Sequence, residues 1–204
     1  MQLCTFDIYN FKIMNQVSIN KSINLSEHLA SPSEAALSHL SELNGLRLSP
    51  HFTLGEVTKS RHAEVYNIPS HVAIENLKRV CAWLEELRFT YNTLYCLKPG
   101  EDYETSKNVE PVVITSGYRS PDVNKAVGGA YSSNHLTGCA VDIRCAGVEQ
   151  AIRYAAILLD TADDRQEDYD ELLIERNRKG HYWVHFAVRP LKEGNRRKAL
   201  FIQK

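Results

Sequence analysis

From residue 47 onward the apolar positions fall into short regular patterns, and each pattern predicts an element. Ile74, Leu77, Cys81 and Leu84 recur at spacings of three and four after Pro69-Ser70, which predicts a helix that starts there, buries one stripe and runs to about Arg88. Lys98 to Glu110 holds Pro99-Gly100 and no apolar rhythm, so it reads as a polar loop. Pro111-Val112-Val113-Ile114-Thr115 is a β-branched run stopped by Ser116-Gly117, a short strand. A brief helix over Pro121 to Val127 ends at Gly128-Gly129. Cys139 to Ile143 is strand-like, Val148 to Leu159 is an amphipathic helix, and Glu171 to Glu175 and Tyr182 to Val188 are two strands around the polar turn Arg176 to Gly180. The strands do not alternate with helices in a βαβ repeat. The predicted class is therefore α+β, with a small, largely antiparallel sheet flanked by helices.

Residues 1 to 46 differ from the rest. They are rich in Ser and Asn and carry one helical pattern, Glu34 to Leu46, with Leu37, Leu40 and Leu43 at three-residue spacing. This zone reads as an N-terminal extension of undecided order, ahead of a single domain over 47–204. A chain of 204 residues can bury about 70% of its unfolded surface, so the domain needs no disulfide or metal staple to fold. Lys+Arg 24 against Asp+Glu 25 gives no basic field, which argues against a nucleic-acid partner. The longest apolar run, Tyr154 to Leu159, is far short of the ~20 residues of a membrane span. The N-terminus lacks a basic segment followed by an apolar one, so no secretory signal is recognised and synthesis in the cytoplasm is expected. The five cysteines include no CxxC pair and are expected to be mostly buried thiols rather than a disulfide framework or zinc knuckle.

Three positions carry candidate metal chemistry. His135 lies in the loop-forming stretch Tyr131 to Gly138. In the following strand, period-two alternation sets Ala140 and Asp142 opposite Val141 and Ile143, and in Trp183-Val184-His185-Phe186 it sets Trp183 with His185. Two imidazoles and one carboxylate suit Zn²⁺ and leave the fourth tetrahedral position open, as a hydrolytic site requires. A metal so held lowers the pKa of bound water toward ~7 and polarises the carbonyl under attack. The same residues also fit a plain arrangement in which His135 caps a loop, Asp142 pairs with Arg144 or Arg119, and His185 is a satisfied core histidine.

A longer series of motifs bears on that choice. Ser116-Gly117-Tyr118-Arg119-Ser120-Pro121, then Asn124, Gly128-Gly129, Ser133-x-His135-x-x-Gly138-x-Ala140-x-Asp142 and Trp183-x-His185 resemble the zinc D-Ala-D-Ala carboxypeptidase family. The likeness is closest to the branch of bacterial carboxypeptidases and phage-endolysin-like cell-wall peptidases. Leu48 to Glu56 and the helix near Asn76 to Leu87 also resemble that branch, so the similarity spans about residues 47 to 190. The resemblance implies the fold shared with the hedgehog signalling domain and a single catalytic zinc on His135, Asp142 and His185. It further implies that Arg119 beside the site stabilises an oxyanion or holds a substrate carbonyl or carboxylate. Ser133 is then a substrate hydrogen-bond donor or a loop cap. The implied substrate is a peptide of peptidoglycan and the implied place of action is the cell wall.

The general base departs from the best-known members, which carry an acid three positions before the last zinc histidine; here that residue is Tyr182, whose strand parity faces it away from His185. Glu175, at the end of the strand before Trp183-x-His185, is the preferred replacement. His181 is the other candidate, provided the strand reaches back to it. The acidic run Asp160 to Glu171 is expected to be a solvated loop. Arg176 to Lys179 and Arg196 to Lys198 are basic runs that either contact an anionic wall or are simply solvated. Two rival readings stay open: a zinc-bearing binding domain without catalysis, and a phage structural or tail-associated protein docked through residues 1–46. Oligomeric state is not legible.

Overall fold

The computed structural model describes residues 42–62 and 67–203. Most of the expected N-terminal extension and its helix over Glu34 to Leu46 lies outside the described residues; positions 42–45 are helical. The helices are α1 Leu54–Thr58, α2 His71–Tyr95, α3 Pro121–Ala126 and α4 Val148–Arg165, with 3-10 turns at Asn134–Thr137 and Leu191–Glu193. The strands are β1 Ile114–Ser116, β2 Ala140–Cys145, β3 Glu171–Arg176, β4 Tyr182–Ala187 and β5 Lys198–Gln203. They form one sheet in the order β1-β2-β4-β3-β5, antiparallel throughout except that β5 runs parallel to β3. The class is α+β, as the patterning predicts.

Alternation along the central strands sorts the sheet into two faces. Val141, Ile143, Val184, Phe186 and Leu172 are fully or almost fully buried in one cluster with Leu77, Trp83 and Leu84 of α2 and Leu158 of α4. Each such side chain contributes about 1.5–3 kcal/mol. Trp83 meets Phe186 with ring centroids 5.3 Å apart, joining the long helix to the middle of the sheet. Asp142 and His185, being in register and of opposite parity to this cluster, share the other face.

Two helices outrun their expected ends. α2 continues to Tyr95 because Tyr91 packs edge-on against Tyr154 of α4 at 4.8 Å, and because the buried Asn92 accepts from the Glu110 N–H at 2.6 Å while donating to the Glu110 and Arg88 carbonyls. Tertiary contacts there override the modest propensity of Phe89-Thr90-Tyr91-Asn92. α4 continues to Arg165, so Asp160, Asp163 and Asp164 of the acidic run stand on a helix rather than in a loop, with Thr161 and Ala162 between them buried. β5 is an element that the sequence patterns do not predict. Its run Ala199-Leu200-Phe201-Ile202 lacks alternation and lies on the sheet edge, where Leu200 and Phe201 are exposed.

Local devices set the loops that frame the second face. Thr53 and Glu56 form a reciprocal capping box on α1. Glu85 of α2 accepts from the Ser49 hydroxyl at 2.6 Å and the His51 N–H at 2.7 Å, tying the segment before α1 to the long helix. The Tyr118 N–H donates to the Val57 carbonyl at 2.7 Å. This approach requires a glycine at 117, where a Cβ would lie 2.3 Å from the same carbonyl oxygen.

Candidate metal centre

His135 sits in the 3-10 turn Asn134–Thr137, which Ser133 caps by accepting from the His135 N–H at 3.4 Å and which closes at Gly138 with φ 73°. The turn is held on the first turns of α2: Asn76 Nδ2 donates to the Thr137 carbonyl at 2.9 Å, and Gly138 packs on the Ala73 carbonyl. A Cβ at Gly138 would stand 2.4 Å from that oxygen. The imidazole is buried, and its Nδ1 lies 2.6 Å from the Gly117 carbonyl oxygen. A carbonyl only accepts, so Nδ1 carries a proton and Nε2 is the ring nitrogen turned toward the cluster.

That Nε2 points at Asp142 Oδ1, 3.4 Å away. Asp142 and His185 are cross-strand partners on β2 and β4, and His185 Nδ1 is 2.9 Å from the same Oδ1. One ligand atom from each of His135, Asp142 and His185 therefore falls within 4.8 Å of the others, and all three residues are largely buried. The register shift between Ile114 and Ser116, a β-bulge, lies against Asp142 and turns the chain into the Ser116 to Pro121 loop.

The electrostatics favour positive charge here. Burial opposes ionisation of Asp142, but His135 and His185 outweigh it and hold the carboxyl well below the usual carboxylate range. Burial likewise opposes the His185 cation, yet Asp142 and Glu171 on either side push its pKa up to about 9. Two imidazoles with a fixed tautomer on His135, an ionised carboxylate and a cation-favouring setting fit the donor set of Zn²⁺.

Arg119 lies where the motif implies. Its Nη2 donates to Asp142 Oδ2 at 2.5 Å and its Nε to Ser116 Oγ at 2.8 Å, while its backbone N–H donates to the His135 carbonyl at 3.0 Å. The ion pair with Asp142 from the plain arrangement is thus present together with the cluster. Asn67 brackets the arginine, donating to the Tyr118 carbonyl and accepting from the Ser120 N–H. Ser133 acts as the loop cap.

Glu175 pairs across from Trp183 on the same face as His185, and is 4% exposed. It is a diagonal neighbour of His185, a relation that spans about 7–8 Å between backbones. His181 does not gain the strand placement: β4 begins at Tyr182, and His181 is exposed in the turn, with its N–H on Asn177 Oδ1. Tyr182 faces the other way, as parity predicts, packing on the core and 6.4 Å from the Phe201 ring.

Two acids at the end of the acidic run correct the expectation of a solvated loop. Asp170 is completely buried and accepts from Arg196 Nε at 2.8 Å, Arg196 Nη2 at 2.6 Å and Asn134 Nδ2 at 2.7 Å. Glu171, on β3, is the other diagonal neighbour of His185, and its Oε2 lies 3.5 Å from His185 Nε2. Placement of Arg196 and Lys198 on these acids, and of Arg197 on Asp163 and Asp168, also shows that the second basic run is engaged within the fold. Glu171 shares the β3 parity of Glu175, a signal that its place in the acidic run hides.

The family model described as Peptidase M15 matches residues 101–179. The matched segment contains Arg119, His135, Asp142 and both β3 glutamates; β4 with His185, and β5, follow it. The resemblance seen in the motifs is to this zinc D-Ala-D-Ala carboxypeptidase-type family, and the match supports a zinc-dependent peptidase acting on a peptide substrate. No curated protein matches the chain. Among the described residues no helix is long and apolar enough to cross a membrane.

Proposed function

We propose that the chain hydrolyses a peptide bond in the stem peptides of peptidoglycan, as a D-Ala-D-Ala carboxypeptidase or an endopeptidase, and that it acts at the cell wall. The observation that supports this most is the convergence of His135, Asp142 and His185, with Arg119 on the outer oxygen of Asp142, around a segment that matches Peptidase M15. His135, Asp142 and His185 would hold one zinc, which when bound supplies Lewis acidity toward the scissile carbonyl and lowers the pKa of water.

The protein's own groups do the rest. The guanidinium of Arg119 has five N–H donors, so it can keep Asp142 and Ser116 and still meet negative charge developing on a tetrahedral oxygen or a terminal carboxylate. Glu175 takes a proton from the attacking water and returns it to the leaving amine. It is favoured over His181 because it shares the face of His185, whereas His181 lies beyond the end of β4.

Elemental analysis of wild type and His185→Ala, paired with mass spectrometry of fragments released from purified peptidoglycan, tests this reading. About one zinc per chain, lost in the variant, together with a defined fragment is the expected result and names the bond. Zinc without cleavage of any wall type would identify a binding domain instead, the reading that Tyr182 in place of an acid keeps open. Wild type that takes up no zinc on reconstitution would refute both.

A further inference from the structure

The two nitrogens of His185 have different neighbours: Nδ1 faces Asp142 Oδ1 at 2.9 Å, and Nε2 faces Glu171 Oε2 at 3.5 Å. The Glu171 carboxylate is itself held on every side. Its Oε2 also accepts from Asn134 Nδ2 at 3.1 Å, and its Oε1 meets Arg196 Nη2 at 3.0 Å and Lys198 Nζ at 3.2 Å. Asn134 is the residue before His135, so one carboxylate touches both histidine-bearing elements. Lys198 opens β5 directly opposite Glu171 in the parallel register, and so the edge strand anchors this acid.

We propose that Glu171 is a positioning residue of the metal centre, orienting His185 so that Nδ1 binds the metal, and that β5 holds Glu171 in place through Lys198 and Arg196. This rests on the zinc reading above and deepens it. The physical basis is general: a histidine ligand that gives its second nitrogen to a carboxylate is fixed in tautomer and ring orientation and becomes a better donor, and loss of such a partner lowers metal affinity about 10–100-fold. Glu175 is the other diagonal neighbour and the group assigned to proton transfer above, so the two β3 glutamates divide between holding a ligand and doing chemistry.

The test is zinc affinity by chelator competition, with the visible spectrum of the Co²⁺-loaded protein, for wild type, Glu171→Gln and Glu171→Ala. Glu171→Ala should bind zinc about 10–100-fold more weakly and shift the Co²⁺ bands, because the His185 ring is no longer oriented. Glu171→Gln keeps an acceptor of the same shape but loses the charge, and should fall between the two. If the alanine variant does not fold, the isosteric variant decides. Wild-type affinity and an unchanged Co²⁺ spectrum in the folded variants would overturn the role of Glu171 while leaving the zinc reading intact. A wild type that binds neither metal would overturn both.

Discussion

Replacing Gly138 by alanine gives the sharpest test of how the histidine-bearing turn is seated. Two costs combine there. At φ 73° the residue is left-handed, a conformation that costs an L side chain about 1–2 kcal/mol. The new Cβ would also meet the Ala73 carbonyl oxygen at 2.4 Å, so the 3-10 turn must lift from the start of α2, an overpacking cost of about 1–3 kcal/mol. The sum is about 2–5 kcal/mol. Gly128 separates the two effects, because it has φ 69° but no atom within 4 Å of where an added methyl would sit, and Gly128→Ala should cost only the conformational part. Urea denaturation of both variants, at a slope of about 1–3 kcal/mol/M, would show a lower midpoint for Gly138→Ala by roughly 1 M. Zinc affinity should fall with Gly138→Ala, which displaces His135, and stay at the wild-type value with Gly128→Ala. Equal midpoints for the two variants would refute the steric account of the turn.

Asp170→Asn should destabilise the fold by about 2–3 kcal/mol, less than a fully buried ion pair because Arg196 is half exposed. Burial opposes the Asp170 charge, but Arg196, Asn134 and Arg189 hold its pKa below the ordinary value. Its contribution is therefore present above about pH 4 and lost as pH falls through the folded-state value, so the gap between wild type and variant, followed by denaturation against pH, should close in acid. Asn67→Ala removes bonds to Thr58, Tyr118 and Ser120 on both sides of Arg119; peptidase turnover should drop on the order of 10-fold or more while zinc content is retained, and unchanged turnover would argue against a role for this clamp. Burial pushes the Cys81 and Cys145 thiols up to about 12, so neither should react with a disulfide reagent at pH 8 until the chain is unfolded. Rapid labelling of the native protein at either position would contradict the core packing.

What the sequence reveals depends on whether a residue's role is local. Asp142 and His185 are legible because strand alternation alone sets them opposite Val141, Ile143, Val184 and Phe186, and the pairing of β2 with β4 then makes them partners. His135 is legible through its motif, but its tautomer depends on Gly117, eighteen residues away, and no spacing rule supplies that. Glu171 is hidden for a different reason. It closes a run of acids whose other members, the buried Asp170 apart, stand on α4 or at the surface, and the parity of β3 separates it from them. Asp170 and Arg196, which neutralises it, lie 26 residues apart and meet because β5 returns alongside β3, a crossover that a short apolar edge run does not announce. His181 shows the converse failure: its parity is right, but the strand stops one residue short of it.

The separation of Asp142 and His185 by 43 residues of chain has a consequence for how the protein endures. An ion held by both spans the two central strands and the 3-10 turn at once, and so acts as a cross-link closed over a long loop. It stabilises only the state in which β2 and β4 are already paired, by an amount set by free ion concentration over the dissociation constant. A chelator would then act as an agent of decay, returning the domain to a form that opens more often and offers its strands to proteases.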